Sequence, residues 1–155
     1  MRRKDRDVTS LEAIDAILTD ATVCHLGMCL ENVPYVVPLN FVHVDNRLYV
    51  HSALKGKKLD ILRENPNVCV QVDLHGGFIP DPDDACESGY RYKSLIANGV
   101  ATFVEESSHK LIALEALAKK YFKKSVPVNE KTARGTVVLE IVLGEVAVKQ
   151  AGLWD

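Results

Sequence analysis

The sequence predicts a strand-dominant α+β fold, a small closed or half-closed antiparallel barrel with about three helices around it. Three observations favour this class: several short β-rich runs separated by turn residues, three separate helical segments, and a change of phase in the hydrophobic alternation near the carboxyl end. The chain has 155 residues, 47% of them hydrophobic and 26% charged. This composition is typical of one globular domain, which we expect to span residues 1–155.

The amino-terminal third predicts one helix and then a run of strands. Residues 9–20 place their apolar side chains on one helical face, and Thr9 followed by Glu12 has the spacing of a capping box. The β-rich runs that follow are separated by turn signals at 31–32 and 45–46 and cover residues 22–30, 34–44 and 47–52. We expect these runs to form an antiparallel meander.

A second helix and a strand follow, and then a polar stretch. The helix is predicted over 57–65, because Pro66 ends it, and residues 68–74 alternate as a half-buried strand does. Residues 75–89 carry two prolines, three glycines and four acidic residues, at Asp81, Asp83, Asp84 and Glu87. A loop of this length either covers a site or is a disordered excursion, and the sequence favours neither.

The remaining segments predict a strand over 92–105, a third helix and a final β-rich segment. The helix opens at Ser107 or Ser108 and places its apolar residues at helical spacing. In the last segment the apolar residues of 137–143 alternate in one phase and those of 146–148 in the other. A slip of one residue turns a strand over, so we predict a β-bulge or corner at Gly144.

Charge and hydropathy patterns exclude several classes of function. The chain has 19 basic and 21 acidic residues and a formal charge of -2, which argues against a nucleic-acid-coating surface. No apolar run approaches the ~18 residues of a membrane span, and the opening MRRKDRDVTS lacks the apolar core of a secretory signal. We therefore expect no nucleic-acid or membrane partner and a cytoplasmic location. The four cysteines are then expected to be free thiols.

The most informative stretch for chemistry is HSALKGKKLDILRENP, residues 51–66, where a strand leads into a helix. Lys55, Lys57 and Lys58 stand at the helix start, although the positive end of a helix dipole normally favours acidic residues. Free backbone N–H groups, Gly56 and two or three ammonium groups together predict an anion site, for which phosphate is the expected ligand. The alternative is that the lysines are solvated helix formers, which the spacing supports equally well.

Other candidate sites are weaker. Cys24, His25 and Cys29 do not predict a zinc site, since neighbouring strand residues face opposite ways and no second cysteine pair lies at short spacing. The acidic residues of 81–87 lack the pattern of a calcium loop, and neither GxSxG nor a Walker loop is present. No metal site is predicted. His51 could face the anion site, but a lone histidine at a strand end is more often structural.

Three stretches together resemble the pyridoxamine-phosphate-oxidase-like split-barrel flavoproteins, within the branch that contains nitroimidazole-resistance proteins. These stretches are PYVVPLNF (34–41), LYVHSALKGKKLDILRENPNVCVQVD (48–73) and YRYKSLIANGVATFVEE (90–106) followed by a helix. The resemblance implies a split antiparallel barrel that dimerises and holds FMN in grooves shared by two subunits.

The resemblance also implies site residues. Lys57 and Lys58 match the basic pair that holds the flavin phosphate, and His51 and Ser52 match further cofactor contacts. His51 also matches a histidine that faces the substrate, so it is the candidate catalytic residue. Ser94 lies on the strand matched to the subunit interface, and the strand bordering the isoalloxazine ring is matched by Val37, Pro38, Leu39 and Asn40.

The expected function is therefore that of an FMN-dependent oxidoreductase. It would reduce a small, electron-poor compound with electrons from a nicotinamide cofactor or another carrier. The chain ends in KQAGLWD and lacks the basic motif that grips the substrate phosphate in pyridoxamine phosphate oxidase, so vitamin B6 oxidation is not expected. The alternative is a non-catalytic split-barrel protein that binds flavin or haem, with His51 or His43 as a candidate axial ligand.

Overall fold

The computed structural model describes residues 4–154; residues 1–3, at the start of the charged amino-terminal segment, and Asp155 lie outside the described residues. After a 3-10 turn at Lys4–Arg6, four helices are formed by Leu11–Asp20 (α1), Lys57–Glu64 (α2), Ser107–Phe122 (α3) and Glu130–Arg134 (α4). Seven strands are formed by Cys24–Leu30 (β1), Val33–Leu39 (β2), Phe41–Val44 (β3), Arg47–Ser52 (β4), Asn67–Ile79 (β5), Gly89–Phe103 (β6) and Val137–Ala151 (β7).

The strands form one antiparallel sheet whose two edges meet. The strand order is β2-β1-β5-β6-β7-β4-β3, so β2 and β3 are the edge strands. They are also consecutive in the chain and are separated only by Asn40. Because successive Cα atoms lie about 3.8 Å apart, Leu39 and Phe41 are within about 7.6 Å of each other. The sheet must therefore curl into a barrel that is split between its edges, which confirms the predicted fold class.

The predicted meander over residues 22–52 is wrong in one respect. The β1–β2 and β3–β4 hairpins form, but β2 and β3 do not pair with each other; β1 pairs with β5 and β4 pairs with β7. The run 34–44 is broken at Asn40. Hydrophobic alternation reports which face of a strand is buried, and it contains no information about the neighbouring strand.

The barrel interior is apolar, and helices close it. Cys24, Leu26 and Met28 of β1 are buried, as are alternate residues of β5 and β6. Ile17 and Leu18 of α1 and Leu59 of α2 are at most 1% exposed and belong to the same core. Helix α3 lies outside the barrel, where a second apolar cluster joins Ala113 and Leu117 to β3, β4 and β7. No helix within residues 4–154 is both long and apolar enough to cross a membrane.

The helices differ from the prediction in number and in one cap. Helix α1 begins at Leu11, and its N-cap is Ser10, whose hydroxyl accepts a hydrogen bond from the Ala13 N–H at 3.1 Å. Thr9 is not the cap, because its hydroxyl accepts from the Val148 N–H at 2.8 Å and ties the segment to β7. About three helices were expected; the fourth, α4, is a five-residue helix too short to show a periodic pattern.

The polar stretch 75–89 is mostly strand rather than loop. Strand β5 continues to Ile79 and β6 begins at Gly89, with a bulge between His75 and Gly77 that absorbs the glycines. Gly77 has φ +98°, a conformation that favours glycine. The connecting loop is therefore only residues 80–88. The sequence predicts a longer loop because glycines are common in turns, whereas here they lie at a β-bulge within a strand.

The predicted irregularity at Gly144 is confirmed. The register between β6 and β7 shifts between the pairs Ala97–Val146 and Gly99–Leu143, so two residues of β7 oppose one residue of β6. The bulge turns the end of β7 over, as the change of hydrophobic phase predicts.

Candidate functional site

The seam between the two edge strands is closed by a side chain of α3. Both the N–H and the C=O of Phe41 point to the Tyr121 hydroxyl, at 2.9 and 3.0 Å. The same hydroxyl lies 2.6 Å from the carbonyl oxygen of Thr22, which also accepts a hydrogen bond from Asn40 Nδ2 at 3.2 Å. Residues just before β1 and at the β2–β3 junction are thus held together by one phenol. At this end of the seam, the Tyr121 hydroxyl therefore satisfies backbone groups that no neighbouring strand pairs with.

The helix start predicted to bind an anion lies beside β2. Gly56 is the N-cap of α2 with φ +147°, and it provides no side-chain oxygen to the first N–H groups of the helix. Lys57 Nζ stands 4.8 Å from the ring centroid of Tyr35 on β2. Lys58 is half-buried, and burial lowers the pKa of its ammonium group below the ordinary lysine value. The two lysines therefore have different surroundings, one over an aromatic ring and one turned toward the barrel.

His51 and Asn40 line a common cavity. Phe41 pairs with Val50, so the next residues outward along the two strands, Asn40 and His51, are neighbours at the end of the β3–β4 hairpin. Both border a cavity of about 550 Å³. Its other walls come from α3 and from the segment around α4, and they are mostly apolar: Leu114, Leu117, Ala118, Tyr121, Phe122, Val128, Thr132 and Thr136. Ser52 follows His51 and is half-buried.

The edge strand β2 presents the remaining candidate residues. Val37 and Leu39 are half-buried, whereas Pro38 and Asn40 are exposed. Strand β2 pairs with β1 on one side, and no strand within residues 4–154 pairs with its other side. Backbone N–H and C=O groups along a free edge can bind the polar rim of a ligand. The strand could therefore position a flat molecule between the lysines and the His51 cavity.

Ser94 is the one candidate residue that lies apart from the others in this chain. It is on β6 between Asp73 of β5 and Lys149 of β7, three strands away from β2. It alternates with the buried Leu95 and therefore shares the outer face of the sheet with Ile96, which is 52% exposed. Within one chain, Ser94 is therefore not brought together with the other candidate residues.

The histidine and cysteine candidates do not come together. The Cys24 thiol is inside the barrel, and burial raises its pKa to about 12, whereas His25 on the opposite face is hydrogen-bonded to Gln71. His43 lies 3.5 Å from a carboxylate oxygen of Asp15, and burial lowers its pKa. No group of three His, Cys, Asp or Glu side chains within the described residues could hold a metal ion.

The sequence reasoning missed the contribution of α3. From the sequence, Tyr121 and the apolar residues of α3 are expected only to pack the helix, because their spacing is that of an ordinary amphipathic helix. Tyr35, which lies under Lys57, was likewise not singled out. A polar hydroxyl on an apolar helical stripe was the available signal, since a buried tyrosine usually finds a hydrogen-bond partner.

Comparisons with known proteins agree on one family. A family model for pyridoxamine 5'-phosphate oxidase matches residues 10–150. A proposed 5-nitroimidazole antibiotic resistance protein from Bacteroides thetaiotaomicron is 28% identical, and its structure superposes with a TM-score of 0.81 over 92% of this chain and 85% of that one. An FAD-binding protein from Mesorhizobium loti is 29% identical, with a TM-score of 0.71 over 95% of this chain and 98% of that one.

A curated relative matches over a shorter stretch. An uncharacterized protein of Rhizobium meliloti (strain 1021) is 35% identical over 65 residues, which span 42% of this chain and 42% of that protein. The match therefore covers less than half the length of that relative. The family model, by contrast, extends from the N-cap of α1 almost to the end of β7. On that evidence the chain belongs to the pyridoxamine 5'-phosphate oxidase family.

Proposed function

We propose that this protein binds FMN and uses it as an oxidoreductase to reduce a small, electron-poor compound. One observation carries the proposal: an uncapped helix start with two lysines lies beside the free edge of β2, and β2 leads through Asn40 to an apolar cavity that contains His51. A phosphate group, a flat ring with a polar rim and an apolar substrate are the three parts that such an arrangement accommodates.

The described residues fit FMN part by part. Lys57, Lys58 and the first N–H groups of α2 would bind the phosphate, and Ser52, which follows His51 in the chain, would be a further contact. The backbone of Val37–Asn40 would bind the rim of the ring. A flavin is also consistent with the FAD-binding protein from Mesorhizobium loti, which is 29% identical to this chain.

The chain's own residues would orient the reactants, and the bound flavin would supply the electron or hydride transfer. The His51 imidazole borders the cavity and can donate or accept one hydrogen bond to a polar group of the substrate. The cavity walls carry no lysine, arginine or carboxylate, so an uncharged substrate fits better than a phosphorylated one. A nicotinamide cofactor is the proposed electron donor, and another carrier would serve the same purpose.

A homodimer is part of the proposal. The outer face of β6 and β7, which also carries Ser94, exposes Ile96, Val100 and Val142 by 52, 45 and 41%. Apolar side chains grouped on one sheet face are what an interface between copies would cover. A second subunit placed there would also bring its Ser94 toward the first subunit's groove, as the family resemblance implies.

The absorbance spectrum of the purified protein incubated with FMN is the direct test. Two broad visible bands that remain after gel filtration are expected. A single intense Soret band would assign haem instead, with His51 or His43 as the axial ligand to mutate next. A colourless protein that fails to retain FMN would contradict the proposal.

The lysines provide a sharper version of this test. Lys57→Ala with Lys58→Ala should weaken FMN binding by at least about tenfold and riboflavin binding by about twofold or less, because only FMN carries the phosphate. Lys124→Ala with Lys131→Ala is the matched control, since it removes the same charge from exposed positions. Equal losses for both ligands would show that Lys57 and Lys58 act only through the fold. Turnover of nitro compounds or quinones with NADH or NADPH then tests catalysis.

A further inference from the structure

A second cavity, of about 440 Å³, lies between α1, β3 and α3. Its residues on α3, Ala116, Lys119 and Lys120, occupy the helical face opposite to the one that borders the His51 cavity. Among the described residues, the two cavities have no wall residue in common. Small-molecule sites in proteins commonly measure roughly 300–1,000 Å³. The second cavity is therefore large enough for a ligand of its own.

The walls of this lysine cavity are cationic on one side and apolar elsewhere. Lys119 and Lys120 belong to the last turn of α3, and Lys123 is the C-cap of the helix. The other walls are formed by two polar residues and three apolar ones: Thr19, His43, Leu18, Val42 and Ala116. No carboxylate within residues 4–154 borders the cavity. Its lining therefore combines an excess of positive charge with an apolar surface.

Lys120 has the best defined position of the three lysines. It is half-buried, its Nζ donates a hydrogen bond to the carbonyl oxygen of Leu18 at 2.9 Å, and it stands 3.8 Å from the centroid of the Phe41 ring. An ammonium group has three N–H donors, so two remain available to a ligand in the cavity that Lys120 borders. Lys119 and Lys123 are exposed, and their long side chains can turn toward the same ligand.

The lysines of the cavity lack a matching carboxylate. In the part of the chain that the structure describes, none of Lys119, Lys120 and Lys123 forms an ion pair. Asp20 acts on Lys120 only from a longer distance, whereas Lys123 repels it. Burial, which is the larger cause, and this repulsion lower the pKa of Lys120 to about 8. A bound anion would offset the repulsion and stabilise the charged form of Lys120.

We propose that the lysine cavity binds a phosphate monoester with an apolar body, held by Lys120 together with Lys119 and Lys123. A phosphate monoester carries nearly two negative charges at neutral pH, which suits three lysines better than the single charge of a carboxylate. Its apolar body would pack against Leu18 and Val42. The inference is independent of the proposed function, because it does not involve the lysines at the start of α2.

The alternative is a purely structural role for the lysines. Cations at the carboxyl end of a helix are favoured by the helix dipole, and Lys120 also satisfies a carbonyl oxygen near the end of α1. Such a role would stabilise the two helices without selecting a ligand. Ligand affinity therefore separates the alternatives, whereas stability does not.

The test compares three probes by titration calorimetry: phenyl phosphate, inorganic phosphate and benzyl alcohol. Phenyl phosphate should bind at least about tenfold more tightly than inorganic phosphate, because only the ester buries an apolar ring. It should also bind at least about tenfold more tightly than benzyl alcohol, which lacks the charge. The same titrations in Lys57→Ala with Lys58→Ala should give unchanged affinities, because those lysines are not part of the cavity.

Variants of the cavity lysines identify the contact. Lys120→Met removes the charge and keeps the apolar stem over Phe41, and Lys124→Met, at an exposed position outside the cavity, is the matched control. We expect Lys120→Met to weaken phenyl phosphate binding by about tenfold and benzyl alcohol binding by less than about twofold, with no change in the control. Lys119→Met with Lys123→Met, both at exposed positions, should also weaken phenyl phosphate binding, and Lys120→Arg should retain most of it.

The pH dependence gives a second measurement. The charged or titratable groups facing Lys120 are Asp20, Cys24, Lys119, Lys123 and His43, the last of which lies 3.5 Å from Asp15. Burial lowers the pKa of His43 and raises that of Cys24 to about 12, so neither titrates between pH 7 and 9. Since the protonated amine binds the anion, phenyl phosphate affinity should fall by about tenfold over this range. Lys120→Arg, which stays charged, should remove most of the fall.

The remaining outcomes each decide for or against the inference. Phenyl phosphate binding in a protein that retains no FMN would support the lysine cavity and contradict only the proposed function. Binding that is lost in Lys57→Ala with Lys58→Ala would assign the phosphate to the start of α2 and overturn the inference. It would also be overturned if phenyl phosphate does not bind, if it binds no more tightly than inorganic phosphate, or if Lys120→Met and Lys124→Met lose affinity equally.

Discussion

The phenol that closes the barrel seam can be tested by removing a single oxygen atom. Tyr121→Phe keeps the ring, which contacts the second apolar cluster, and deletes the hydroxyl that meets Phe41 and Thr22. The hydroxyl has one hydrogen, so it donates to only one of its two neighbouring carbonyl oxygens at a time and accepts from the Phe41 N–H. The substitution therefore removes about two hydrogen bonds.

The cost follows from the burial of the groups left behind. Phe41 is 0% exposed, so its N–H loses a partner in a place with little access to water. A typical hydrogen bond contributes about 0.5–1.5 kcal/mol, and an unsatisfied buried donor costs about 1–3 kcal/mol. We expect Tyr121→Phe to lower the free energy of unfolding by about 2–3 kcal/mol. With an unfolding entropy near 2.1 cal/mol/K per residue, this corresponds to a fall in Tm of about 6–9 °C.

Urea and thermal unfolding followed by circular dichroism, at one fixed protein concentration, measure this difference. Tyr90→Phe is the control, because Tyr90 is 56% exposed and should change stability by no more than about 0.5 kcal/mol. If Tyr121→Phe and Tyr90→Phe unfold at the same urea concentration, the seam is not held by the Tyr121 hydroxyl. The reasoning about how the split barrel is closed would then be refuted.

Two further predictions concern the sheet and the thiols. Gly99→Ala would place a methyl group 2.8 Å from a backbone oxygen of β7 and should destabilise the protein by about 1–3 kcal/mol in urea unfolding. Gly89→Ala is the control, because no atom lies within 4 Å of the added methyl group, and it should be neutral or stabilising. Equal unfolding midpoints for the two variants would contradict this account of the β6–β7 contact. At pH 8 a thiol reagent should modify the exposed Cys69 and Cys86 quickly and Cys24 only after unfolding, because burial raises the pKa of Cys24 to about 12. Mass spectrometry of the modified peptides measures the order of reaction. Early modification of Cys24 would refute its burial.

Several features of the fold could be predicted from the sequence because they depend on local patterns. Alternation of apolar residues marks the strands and their buried faces, and it also reveals the bulge at Gly144, where the phase changes. Helical spacing and Pro66 determine α2 almost to the residue. The lysines of 55–58 stand out because they break the usual charge preference of a helix start. These signals lie within a few residues of the features that they predict.

The site as a whole depends on contacts between distant segments, which such signals do not contain. Strands β2 and β3 are adjacent in sequence and lie at opposite edges of the sheet, so only the curvature of the complete barrel brings those edges to one seam. Tyr121 reaches Phe41 across 80 positions, and Lys120 reaches Leu18 across 102. On α3 both residues follow an ordinary helical pattern. The sequence alone determined the secondary-structure elements and one cationic helix start. Tertiary packing decided which side chains surround that helix start, because the apolar pattern of a strand specifies its buried face but not which elements lie beside it.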